Sequence, residues 1–138
     1  MDKLEYIPGD LVYIHGSLRI ISNCDGYYAT YYDENESLQE VNVNVIEGIP
    51  LTPEILEKNG WVKKVMSRGI KNSHWVYTKP DVEEYGYFPI YIEKGIGKEF
   101  DVYPFTYNNV CTQIAYIKYV HQLQHLLFGL GLNSEMEV

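Results

Sequence analysis

Between Gly9 and Ile46 the chain alternates short β-rich runs with turn signals. "GDLVYIH" opens on a turn and leads into Leu11, Val12, Tyr13 and Ile14. "SLRIIS" follows Gly16. The Asp25-Gly26 pair of "NCDG" then predicts a tight hairpin, because glycine reaches positive φ without a steric penalty. "YYATYY" comes next, then the polar "DENES", then "LQEVNVNVI". In that last run Val41, Val43 and Val45 face one way and Glu40, Asn42 and Asn44 the other. Short strands joined by tight turns predict a small, strongly curved sheet, and an SH3-like β-barrel is its natural closure.

The period changes at "EGIPLTPEILEKNGW". Thr52 is a good N-cap, Pro53 suits the first helical position, and Glu54 suits the positive end of the helix dipole. Asn59-Gly60 is a stop signal, so a short helix is expected. Strands return in "GWVKKVM" and "SHWVYTK" around "SRGIKN", then in "GYFPIYIEK" and "KEFDVYPFT" around "GIG". Pro89 and Pro104 lack amide donors, which suits edge or bulged strands. "CTQIAYIKY" is a last strand, leading into the helix "KYVHQLQHLLFGL". The fold expected is α+β. Residues 1–48 form an SH3-like β segment, and 49–138 form a lobe of helix, antiparallel sheet and C-terminal helix, the whole being one compact unit.

At 138 residues the chain is long enough to build a core without a metal or disulfide staple. Cys24 and Cys111 form neither a disulfide framework nor a zinc signature, and the N-terminus does not read as a signal peptide. No apolar run reaches the ~18 residues of a membrane span. A reduced, cytoplasmic protein with no membrane partner is therefore expected. The net charge of −8 is uneven: residues 1–50 hold two basic side chains against nine acidic ones. That half repels phosphate, which disfavours nucleic acid as a partner. A local basic stretch, Lys58, Lys63, Lys64, Arg68 and Lys71, keeps a nucleic-acid interface in view, with Trp75 or Tyr77 as the stacking residue.

The closing helix offers the sharpest chemical candidate. Its helical spacing groups Val120, Leu123, Leu126, Leu127 and Leu130 on an inner face and sets His121 and His125 on the opposite, watered side. Two histidines four residues apart could grip one metal ion. A zinc protease helix, however, carries glutamate where this chain has Gln122, and only His15 and His74 remain as histidine donors for a third ligand. The expectation is a solvated pair with no bound metal and no cofactor. Gln124, on the rim of the apolar arc, is expected to bond backbone.

Tyrosine is abundant, and "YYATYY" puts Tyr27 and Tyr31 on one strand face and Tyr28 and Tyr32 on the other. Exposed tyrosines would anchor a protein partner, since the ring is large, stiff and amphipathic. The acids Asp33–Glu36 lack the glycine-centred loop of a strong calcium site and read as a turn. Asp81 and Asp101 have no carboxylate partner at a fixed spacing, Gly95-Ile96-Gly97 joins strands, and Ser67, Ser73 and Ser134 lie in no nucleophile pattern. Cys111 has no activating neighbour in the sequence.

"IPLTPEILEKNGW" (Ile49 to Trp61) and "KYVHQLQHLLFGL" (Lys118 to Leu130), in that order and spacing, resemble two blocks of a group of small uncharacterised proteins of gut Bacteroidota and their phages and prophages. Members of that group often end in a "TGEEL"-like tail where this chain has "GLNSEMEV". The resemblance implies a phage or mobile-element origin and transfers no catalytic residue. The function expected is a non-enzymatic accessory protein that binds another protein, or itself, through its tyrosine-rich sheet and acidic surface. A nucleic-acid-binding factor is the alternative, and a metal-dependent enzyme the third.

Overall fold

Turn chemistry builds the first sheet. In the computed structural model, which describes residues 5–67, 73–79, 90–94, 99–104 and 115–138, β1 (Leu11–Ile14) and β2 (Ser17–Ile20) pair antiparallel. His15 and Gly16 join them, both at positive φ (51° and 79°), the turn whose twist matches that of a hairpin. Between β3 (Asn23–Cys24) and β4 (Tyr28–Tyr32) the Asp25 carboxylate accepts the amides of Tyr27 and Tyr28, each at 2.8 Å, and Gly26 lies at φ 96°. β4 pairs in turn with β5 (Leu38–Asn42).

The valine alternation breaks after β5. Asn42 Oδ1 accepts the Asn44 amide at 2.9 Å and caps a 3₁₀ turn, Val43–Val45, so Val45 is exposed instead of facing inward with Val41. This turn carries the chain away from β4 and into β6 (Ile46–Gly48), which pairs with β1. The result is two three-stranded sheets, β2-β1-β6 and β3-β4-β5, and no closed barrel. The α+β class holds, and the SH3-like barrel is not confirmed. Tyr6, Val12, Ile14, Ile21, Ala29, Tyr31 and Ile46 form one core between them.

Chain contacts divide the molecule into two units, Met1–Pro50 with Tyr119–Met136, and Leu51–Lys118 with Glu137–Val138. By its contacts α2 (Val120–Gly129) belongs to the first unit. The cause is local: the Val120 amide donates to the Ile49 carbonyl at 2.8 Å, and Pro50 and Tyr119 form a β-bridge.

In the second unit α1 (Pro53–Lys58) follows its signals closely. Thr52 Oγ1 accepts the Ile55 amide at 3.2 Å, Pro53 is the first helical residue, and Gly60 turns at φ 86°. Five strands follow in the order β11-β10-β9-β8-β7: β7 (Val62–Ser67), β8 (Ser73–Thr78), β9 (Ile90–Lys94), β10 (Phe100–Pro104) and β11 (Ala115–Ile117). Ile90, Ile92, Phe100, Val102 and Ile117 are buried, whereas their alternates Tyr91, Glu93, Asp101, Tyr103 and Tyr116 are half-buried or exposed. Pro104 is not on an edge strand, since β10 lies between β9 and β11; it sits past the three residues that pair with β11. Pro89 lies outside the described residues.

Gly48 tests the packing of α2 on the first unit. A Cβ added there would lie 2.7 Å from Tyr119 Cδ1 and 3.1 Å from His121 Cε1. Gly48→Ala should therefore destabilise the protein by about 1–3 kcal/mol, the cost of overpacking, read as a lower urea midpoint. Gly129→Ala, at the open end of α2 with nothing within 4 Å, should instead stabilise by about 0.5–1 kcal/mol.

Candidate functional site

The buried stripe of α2 is Val120, His121, Leu123, Gln124 and Leu127. It is rotated from the expected leucine face: Leu130 is exposed and Leu126 half-buried, and the two histidines point toward protein. The expectation of a watered pair is corrected for both. His121 is 1% exposed, and His125 Nε2 lies 2.7 Å from Asp10 Oδ2. The rotation follows from the polar partners that the strand entry provides. Gln124 Oε1 accepts the Leu11 amide at 2.9 Å, and its Nε2 donates to the carbonyls of Gly9 and Ser134, each at 3.1 Å. Gln124 thus does bond backbone, as expected. Gln122, in the position a zinc protease would give to glutamate, accepts the Tyr119 amide at 3.0 Å and caps the helix.

His121 is enclosed by rings. Tyr6 lies at 4.9 Å between centroids, Tyr119 stacks at 5.7 Å, and His125 meets it edge-on at 5.7 Å. Among the described residues neither of its ring nitrogens has a hydrogen-bond partner, and Glu5 Oε1 lies 3.9 Å from Nε2. Burial, helped by the adjacent His125, pushes its pKa down to about 4. The Asp10 carboxyl moves the other way, raised by burial against the lowering pull of the Ile7 amide and His125. Burial also pushes the Tyr6 hydroxyl up to about 12.

Asp10 and His125 meet at a cleft of ≈ 390 Å³, lined by Ile7, Pro8, Gly9, Asp10, Gln124, His125, Phe128 and Ser134. Among the described residues no group of three metal-ligating side chains comes together, there or elsewhere. His15 is taken up in the β1–β2 turn. Asp10 was legible only as a turn residue, because its partner is 115 positions away and no spacing rule links them.

No protein-family model, curated protein or solved structure matches the chain. Among the described residues, no helix is long and apolar enough to cross a membrane.

The tyrosine strand divides more cleanly than its sequence suggested. Tyr31 is 8% exposed, belongs to the core and lies under the Arg19 guanidinium at 5.2 Å, so it is withdrawn as a partner anchor. Tyr28 and Tyr32 are exposed on the other face, and Tyr27 stands exposed in the turn before the strand. The acids beyond β4 build a turn: Asp33 Oδ1 accepts the amides of Asn35 and Ser37, and Oδ2 accepts from Gln39, bonds that hold its pKa below the usual carboxylate range.

The basic stretch is not brought together in what is described. Lys63 and Lys64 are successive on β7 and so point to opposite sides of the sheet, with Lys63 Nζ 5.9 Å from the Tyr77 ring. Tyr77 itself is buried, which removes it as a stacking surface. Arg68 and Lys71, like Cys111 and Asp81, lie outside the described residues, and Trp75 is placed only by its backbone in β8.

The lowered pKa of His121 sets a sign for stability against pH. The unfolded imidazole takes a proton near its ordinary pKa while the folded one stays neutral until about 4. Its contribution is thus full above the unfolded value and is lost as pH falls. From pH 7 to pH 5 this removes about 2 kcal/mol. His121→Phe keeps a ring in the stack and cannot protonate, so its urea midpoint should fall less than the wild-type midpoint between those pH values. Parallel profiles for the two proteins would count against a neutral buried His121.

Proposed function

We propose that this chain is a non-enzymatic accessory protein of a phage or mobile element that binds a basic protein surface through the outer face of β3-β4-β5. The observation that carries the reading is register. Tyr32 stands opposite Leu38, Thr30 opposite Glu40, and Tyr28 opposite Asn42, so two tyrosines and a leucine share one solvent face. Their exposures are 58%, 48% and 57% for Tyr32, Tyr28 and Leu38. Stiff aromatic rings of this kind supply contact area at little entropic cost, and they dominate interface energetics when a partner desolvates them.

Glu40 on the same face, and Asp33 and Glu36 in the adjoining turn, set negative charge beside the rings, while Glu34 is paired with Arg19. Such a rim raises the encounter rate with a positive partner and repels negative ones. It also disfavours a second copy of this chain, whose corresponding face is equally acidic, and it disfavours nucleic acid.

The test compares wild type with Tyr28→Ser/Tyr32→Ser/Leu38→Ser, all solvent-facing changes, as immobilised bait in the host lysate at two salt concentrations. A basic protein retained by wild type at low salt should be lost by the triple variant. Against the purified partner, Tyr32→Ala alone should weaken binding by about 30-fold, the scale of an aromatic hot spot. Equal retention by both baits, or saturable DNA or RNA binding that falls steeply with salt, would overturn the proposal.

A further inference from the structure

The cleft between the Ile7–Asp10 turn and α2 belongs to none of the surfaces invoked above. Its volume of ≈ 390 Å³ is within the range of small-molecule sites. Ile7, Pro8 and Phe128 make its walls apolar, and Phe128 is 68% exposed although it lies on a helix that buries most of its large side chains.

The polar groups of the cleft are unequal. Gln124 is fully engaged, its oxygen by the Leu11 amide and its nitrogen by two carbonyls. Asp10, 1% exposed, receives both of its donors, the Ile7 amide and His125 Nε2, on Oδ2. Among the described residues no donor reaches Oδ1. The polar atom left over is therefore an acceptor on a buried carboxylate, and among the described residues no lysine or arginine lines the cleft. A buried carboxylate with an unfilled oxygen favours a ligand that donates and carries positive charge.

We propose that this cleft binds a small protonated amine with an apolar body, the ammonium group on Asp10 Oδ1 and the apolar part against Ile7, Pro8 and Phe128. The site is independent of the sheet face proposed for protein binding.

Three probes of matched shape decide the matter: phenethylamine, 2-phenylethanol and 3-phenylpropionate, each titrated into the ¹⁵N-labelled chain. The amine should shift the amide resonances of Gly9, Asp10, His125 and Ser134 saturably, and bind at least about tenfold tighter than either competitor, as a charge-assisted hydrogen bond requires. Phe128→Ala, at an exposed position where folding is not at stake, should weaken amine binding by about threefold to tenfold. Asp10→Asn keeps an acceptor for the Ile7 amide and should abolish the preference for the amine. If the alcohol or the carboxylate binds as tightly as the amine, if Phe128→Ala leaves affinity unchanged, or if the amine shifts resonances only elsewhere, the proposal is wrong.

Discussion

One carboxamide holds the first unit together. Gln124 takes the Leu11 amide and gives to the carbonyls of Gly9 and Ser134, so the entry to β1, the helix and the tail after it share one side chain. Buried backbone groups must find partners, and the Leu11 amide finds its own in a residue 113 positions away. Leu11 begins the strand that pairs with both β2 and β6. Fixing Leu11 therefore fixes α2 against the strand whose register the His15-Gly16 turn sets. The same contact sets the rotation of α2 about its axis. Once Gln124 faces the strand entry, His125, the next residue, and His121, three residues before it, are drawn toward the protein.

This is why the histidines escaped a reading by periodicity. Helical spacing gives the relative directions of side chains, and leucines outnumber other candidates for the inner face. It cannot weigh one amide with three backbone partners against the burial of Leu130. The local features were legible because their causes are local. Thr52 and Pro53 start a helix, Asp25-Gly26 makes a hairpin, and alternation in β9 and β10 separates Ile92 and Val102 from Glu93 and Asp101. Asn42 shows the limit of alternation: its side chain bonds its own backbone two residues on, and the strand ends where the valines suggested it would continue. Tyr31 and Tyr28 are both tyrosines in one strand, and only the placement of the core decides which of the two faces is wet.

The first unit thereby presents two surfaces of different character. The outer face of β4 and β5 is broad and open, with aromatic rings set among acids, a form suited to a macromolecule. The cleft beside α2 is concave and ends on a carboxylate that protein groups fill on one oxygen. Both draw on the acidic composition of the N-terminal fifty residues, yet they do so differently: the sheet face through exposed charge screened by salt, the cleft through a single charge removed from water.

The bridge between Pro50 and Tyr119 makes the second unit an insertion, leaving and re-entering the first at neighbouring residues. Synthesis proceeds from the N-terminus, so the strands up to β6 emerge from the ribosome well before α2 exists. Until then the Leu11 amide has no Gln124, and the flank of β6 that Gly48 leaves open has no Tyr119 to fill it. The inserted unit, most of whose residues are contiguous, can complete its five-stranded sheet while the segment that preceded it is still unfinished. The first unit is thus complete only once its last segment, Tyr119–Met136, has been made.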